Sequence, residues 1–365
     1  MTVRPACLLL LYAREDVVPS EILMENKYSF MRSLFRIALG WVTWITLAVC
    51  PTASAQSTSA LGAEDFSTAS LARSPLHSEP PELVERDQEP DYISEWVTIR
   101  WRPDDPIYLY VVRPAKVRKP PVVIYLYDYP AETDIFGDDD WCRRVTAGGY
   151  AAVGFVPALN GQRYHDRPMK EWFVSELQEA LAKSAHDVQM VLNYLADRAD
   201  VDMGNVGVFG VGAGGTIAVM AASVDSRIKA IDLLDPWGDW PVWMQKSAVI
   251  PDEERPAYLK PEFLTKVADF DPVRLLAALH TQRIRLNQRN DDFPRTPEEA
   301  KKQMEAALPA TAEHRRFATS MAFQAEVASG GREFDWLKLQ IKVPDAKVRK
   351  AAKEIPPGAR SGSGK

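Results

Sequence analysis

The sequence predicts a doubly wound α/β domain with a mostly parallel sheet, and three observations predict it. Strand-like and helix-like stretches alternate along most of the chain. The stretches at residues 121–127 and 150–156 are nearly unbroken apolar runs, as expected of strands covered on both faces. The third is Asn205-Val206-Gly207-Val208-Phe209-Gly210-Val211-Gly212-Ala213-Gly214-Gly215-Thr216-Ile217-Ala218, a β-branched run, then a cluster of glycines, then the apolar start of a helix. Alternation of this kind implies right-handed crossovers and helices on both faces of the sheet.

The chain opens on what reads as targeting sequence over residues 1–55. Met31-Arg32-Ser33-Leu34-Phe35-Arg36 is a short basic region, residues 37–49 are apolar, and Ala53-Ser54-Ala55 is an A-x-A cleavage pattern. The apolar run is shorter than the roughly 20 residues a membrane span needs. The expectation is therefore an exported protein, periplasmic or extracellular, cleaved after Ala55 and without a membrane span. Leu47-Ala48-Val49-Cys50 leaves lipidation open, and Met1, Met24 and Met31 remain alternative starts. Residues 56–91, rich in Ser, Ala, Glu and Pro, read as a disordered lead-in.

Composition narrows the class of partner. With 44 Lys and Arg against 50 Asp and Glu the net charge is −6, which argues against nucleic acid or an anionic membrane. Cys142 is the single cysteine beyond the leader, so stability is expected from a hydrophobic core rather than a disulfide. No C-x-x-C or H-E-x-x-H spacing occurs, and neither a metal nor a cofactor is expected.

The folded domain is expected over residues 92–342. Residues 96–101 and 107–112 make an antiparallel hairpin around the turn at 103–106. Residues 138–147 follow as a short helix. From 177 to 196, Leu177, Leu181, Ala185, Val188, Leu192 and Leu195 recur at spacings of 3 and 4, one face of a helix. Residues 228–234 form a further strand. Residues 236–270 break the alternation with Trp237, Trp240 and Trp243 among prolines and charges, a cap-like insertion. Residues 271–280 are helix-like and 283–288 strand-like. Residues 297–308 form a helix with Thr296 as N-cap, 314–318 a last strand, and 323–339 a final helical segment. Residues 343–365 read as a flexible tail.

The strand, turn and helix around Gly212 resemble the nucleophile elbow, G-x-Nu-x-G, of the α/β-hydrolase superfamily. The hairpin leading into the sheet extends the resemblance over roughly residues 95–340, nearest to the dienelactone-hydrolase and acyl-peptidase branches. Gly210 and Gly214 match the flanking small residues, and the nucleophile position falls on Gly212. The family has Ser, Cys or Asp there. The turn should hold Gly212 at a positive φ, which glycine adopts without strain. The resemblance places the acid after residues 283–288, where Asn290-Asp291-Asp292-Phe293-Pro294 offers Asp291 with Asp292 beside it. A turn aspartate that satisfies its own backbone is the competing reading. The family's histidine follows the last strand, yet none occurs after His314. Arg332, near where it would lie, stays protonated and cannot act as a base.

Two functions remain open from these residues. One is a binding or scaffold protein that keeps a pocket for a small acyl or aromatic ligand, lined by Tyr127, Asp128, Ala213, Trp237 and Trp240. In it the first amides of the helix after Gly212 would donate to a carbonyl or carboxylate oxygen. The tryptophans serve equally as anchors of the insertion on the core. The other is an active ester or peptide hydrolase that uses displaced groups, with His165, Asp128 and Asp235 as candidates on loops at the ligand edge of the sheet. His186 and His280 are expected to be structural, and Ser184 and Ser223 lie in helices without an elbow.

Overall fold

The computed structural model describes residues 64–72, 76–102, 105–129, 134–160, 169–279, 282–290, 295–326 and 335–341. The leader, the tail, His165, His280, Asp291, Asp292 and Arg332 lie outside them.

Nine strands form one sheet: β1 (Glu82–Gln88), β2 (Tyr92–Ile99), β3 (Ile107–Pro114), β4 (Pro121–Leu126), β5 (Ala151–Gly154), β6 (Asp202–Val211), β7 (Ile228–Leu234), β8 (Arg283–Arg289) and β9 (Glu313–Phe317). Their order is β1-β2-β3-β5-β4-β6-β7-β8-β9. The pairs β1/β2, β2/β3 and β3/β5 are antiparallel and every other pair is parallel. The doubly wound sheet with an antiparallel opening is thus present. β4 and β5 are buried along their whole length, which is why their sequences show no polar alternation.

The helices are α1 (Asp139–Thr146), α2 (Met169–Ala196), α3 (Ala213–Val224), α4 (Trp240–Lys246), α5 (Arg255–Tyr258), α6 (Pro261–Val267), α7 (Pro272–Leu276), α8 (Glu298–Ala306), α9 (Ser320–Glu326) and α10 (Asp335–Gln340). All six residues of the apolar face on α2 have no exposed surface. Each of its Leu and Val side chains contributes about 1.5–3 kcal/mol by leaving water. That face and α3 cover one side of the parallel strands and form the main core with Val208, Ile231 and Leu286.

Order begins earlier in the chain than the composition of residues 56–91 implies. All seven residues of β1 are exposed, so no apolar alternation marks it. Its order comes from backbone pairing with β2, from Glu82 opposite Thr98 to Gln88 opposite Ile93. Further upstream, Glu64 receives both Arg102 Nε and Nη2 at 2.7 Å, and the amide of Leu71 donates to Gln189 Oε1 at 2.9 Å. Scattered polar contacts of this kind leave no periodic trace.

Burial opposes ionisation of Glu64, but hydrogen bonds from Arg102 and His186 outweigh it and hold the carboxyl at about 2 instead of 4.5. Because the folded value is depressed, the stabilisation is complete above the unfolded value and is lost as pH falls from 4.5 towards 2. Glu64→Gln is expected to cost roughly 3 kcal/mol at pH 7. The two chains should converge near pH 2 in urea unfolding, and a difference that stays constant with pH would contradict this linkage.

Other boundaries also shift. The helix expected over 271–280 is only α7. The final helical segment is resolved as α9 and α10, and the residues between them are not described.

Candidate active site: an elbow without a nucleophile

β6 runs into Gly212, which has φ 52° and ψ −120° and leads directly into α3. The positive φ is the one the elbow requires. The turn presses α3 against the end of β4, so closely that a Cβ on Gly214 would lie 2.2 Å from the carbonyl oxygen of Leu126. A side chain there would push strand and helix apart, which explains the small residue at this flank.

The space a nucleophile would occupy is filled by another residue. A Cβ on Gly212 would stand 2.0 Å from Oδ1 of Asp128, in the loop that follows β4. That oxygen accepts from the backbone amide of Ala213 at 2.8 Å and from that of Tyr129 at 2.9 Å. These are the amide after the nucleophile position and an amide from the neighbouring strand-to-helix loop, the two donors that make an oxyanion hole in an elbow of this kind. Asp128 Oδ2 accepts from Arg295 Nη1 at 3.1 Å, and the same nitrogen donates to the Tyr129 carbonyl at 2.9 Å. Burial raises the Asp128 carboxyl above its ordinary range, opposed by Arg295 and the two amides.

The other sequence candidates occupy structural positions. Asp235, just beyond β7, has φ 45° and accepts from Arg289 N at 2.9 Å and Arg289 Nε at 2.6 Å. Lys301 Nζ stands 3.9 Å away. These contacts tie the Asp235 carboxylate to the end of β8 and to α8. Thr296 does not cap the helix after it. Its hydroxyl donates to the carbonyls of Asp235 and Pro236, and Pro297 takes the N-cap position of α8. His186 is buried between Glu64 and the Thr68 carbonyl. His314 lies in β9, with Nε2 on Gln288 Oε1 at 3.1 Å. The Cys142 thiol donates to the Phe136 carbonyl, and burial pushes it up to about 12, so it stays protonated.

The expected pocket wall needs correcting. Trp237 and Trp240 each keep only 1% of their surface, and Trp237 packs on Trp243 with ring centroids 4.6 Å apart. They anchor the insertion formed by α4, α5 and α6 on the core and leave a ligand almost nothing to touch. Tyr127 is partly buried, its hydroxyl accepting from Trp141 Nε1 at 3.3 Å. Ala213 is fully buried and contributes its amide. Of the proposed lining residues, Asp128 and Ala213 therefore meet directly. Arg295 and Tyr129, which complete the arrangement, carry no mark in the sequence. Arg295 lies 167 residues from Asp128 and is brought to it by the strand order. Among the described residues no group of three or more His, Cys, Asp or Glu is placed to hold a metal, and no helix is long and apolar enough to cross a membrane.

A mostly parallel sheet opened by an antiparallel hairpin, with this elbow between a central strand and its helix, is a fold of the α/β-hydrolase type. Within it, residues 107–233 match the model of the Dienelactone hydrolase family. No curated protein matches the chain. Among solved structures, an acetyl xylan esterase from Paenibacillus sp. R4 is similar with a TM-score of 0.56 at 18% identity, over 72% of this chain and 89% of that one. An S-formylglutathione hydrolase from Agrobacterium tumefaciens is similar with a TM-score of 0.52 at 15% identity, over 72% of this chain and 100% of that one. At such identities the likeness is one of fold.

Proposed function

We propose that this is an exported α/β-hydrolase-fold protein that does not hydrolyse by the Ser-His-Asp route and retains the elbow as a binding or scaffold site. One observation carries the reading: the Asp128 carboxylate stands where the nucleophile's side chain would be and, at the same time, on the two amides that would receive an oxyanion. A substrate carbonyl therefore meets neither an attacking group nor free donors. Each missing oxyanion donor costs about 100- to 1,000-fold in turnover, and a missing nucleophile on the order of a million-fold.

The test starts from protein recovered outside the cytoplasm, whose N-terminus should be Gln56. It is treated with a fluorophosphonate and, separately, with short-chain aryl esters. The expected results are no adduct by intact mass and hydrolysis no faster than a heat-denatured control. A covalent adduct, or ester turnover lost on His165→Ala, would instead establish a hydrolase that uses displaced residues.

A further inference from the structure

The aspartate–arginine pairs around the carboxyl ends of β4, β7 and β8 differ in their access to water. Asp232 and Arg285 have side-chain exposures of 0% and 7%, and Asp235 and Arg289 of 8% and 12%. Asp128 and Arg295 are open at 23% and 46%. The first two pairs are sealed and hold strands together. The third stands over the amide of the fully buried Ala213, so a ligand that seeks this amide has to take the place of Asp128.

The contacts of Asp128 form a complete recognition set for a carboxylate, with one oxygen on two backbone amides and the other on a guanidinium. The donors come from three separate segments: the start of α3, the loop after β4, and the loop before α8. Amides at a helix start and a guanidinium bind any carboxylate by the same charge-assisted hydrogen bonds. Two of the three donors, the Ala213 amide and the Arg295 guanidinium, are remote in sequence from residue 128 and would remain in place without its side chain. We propose that the hole is a carboxylate-exchange site, in which a small-molecule carboxylate replaces Asp128 on the amides of Ala213 and Tyr129 and pairs with Arg295. Asp128 then acts as an internal ligand that a free carboxylate has to outcompete. Its short tether gives it an effective concentration in the millimolar range or above. The native chain therefore binds free carboxylates weakly, and removing the tethered group raises their affinity. The backbone of Arg295 is fixed, since its carbonyl accepts from Ser247 Oγ at 2.6 Å, while its guanidinium stays near solvent and can receive the newcomer. The inference rests on reading the elbow as a binding site, and it names the ligand class of that site.

The experiment compares the parent chain, Asp128→Gly and Asp128→Gly with Arg295→Gln. Thermal midpoints are followed against formate, acetate and benzoate, with chloride at matched ionic strength as control. Asp128→Gly should show saturable stabilisation at low millimolar carboxylate, the parent should need at least about tenfold more, and the added Arg295→Gln should weaken the effect about tenfold. A response to acetate no larger than that to chloride overturns the proposal, as does indifference to Arg295→Gln. Should Asp128→Gly fail to fold, saturation transfer from the parent chain to benzoate is measured by NMR. That signal should be lost on Arg295→Gln, and its persistence would count against the proposal. Ester turnover with intact carboxylate binding would sink only the non-hydrolytic reading. Absence of both would sink only this one.

Discussion

Gly212→Ser is expected to yield a less stable protein whose ester hydrolysis stays within roughly a few-fold of the parent, even though it restores the missing hydroxyl. A side chain at φ 52° and ψ −120° costs about 1–3 kcal/mol in backbone strain. The new Cβ would also fall 2.0 Å from Asp128 Oδ1, so the carboxylate has to leave its amides and Arg295. Relieving the collision with Asp128→Gly in addition should recover part of the stability and clear the oxyanion donors. It should not recover turnover. The serine would remain a neutral alcohol, because no histidine follows His314, and His314 is committed in β9 to Gln288 and Glu305. Losing the base alone costs on the order of a million-fold, or about 8 kcal/mol of barrier. Rates on an activated aryl ester are compared for the parent, Gly212→Ser, the double variant, and the double variant with His165→Ala. A gain of several hundred-fold in the double variant that disappears with His165→Ala would show that His165 is a working base.

What the sequence could announce and what it could not follow from the range of the interactions. The elbow was legible because its requirement is local: Gly210, Gly214 and Gly215 must let a helix start against the strand it leaves, and a Cβ at any of them would fall within 3 Å of a neighbouring atom. The long face of α2 was legible because a buried helix stripe has a period. β1 was hidden because an edge strand exposed on both faces has no period, and it is held to β2 by backbone pairing and by ion pairs such as Arg86–Glu95, which leave no apolar pattern. The burial of Trp237 and Trp240 was undecided for a different reason, since an aromatic anchor and an aromatic pocket wall have the same composition. The filled oxyanion hole lay furthest from view. The sequence placed Asp128 and the amide of Ala213 at the same edge of the sheet, but that the carboxylate itself accepts from the amide depends on a rotamer and on Arg295, a whole sheet order away.

The sealed pair beneath α10 should be the most damaging place to remove a single charge. Asp232 and Arg285 are register partners on adjacent parallel strands. Arg285 Nε donates to Asp232 Oδ1 at 2.8 Å, Asn287 Nδ2 donates to the same oxygen at 2.9 Å, and Arg285 Nη2 donates to Oδ2. The guanidinium also stands 5.1 Å from the Trp336 ring. Asp232→Ala leaves that guanidinium buried without its counter-charge, and breaking a buried pair from one side costs about 3–5 kcal/mol, a large part of the roughly 5–15 kcal/mol of a folded domain. Replacing both partners is a different matter, because the desolvation of two charges disappears together with their attraction. Asp232→Leu with Arg285→Met is therefore expected to lie within about 2 kcal/mol of the parent. Urea unfolding, followed by tryptophan fluorescence, measures both variants. A loss below about 1 kcal/mol in Asp232→Ala, or a double variant as unstable as the single one, would mean that the strands rely on something other than the charge balance of this pair.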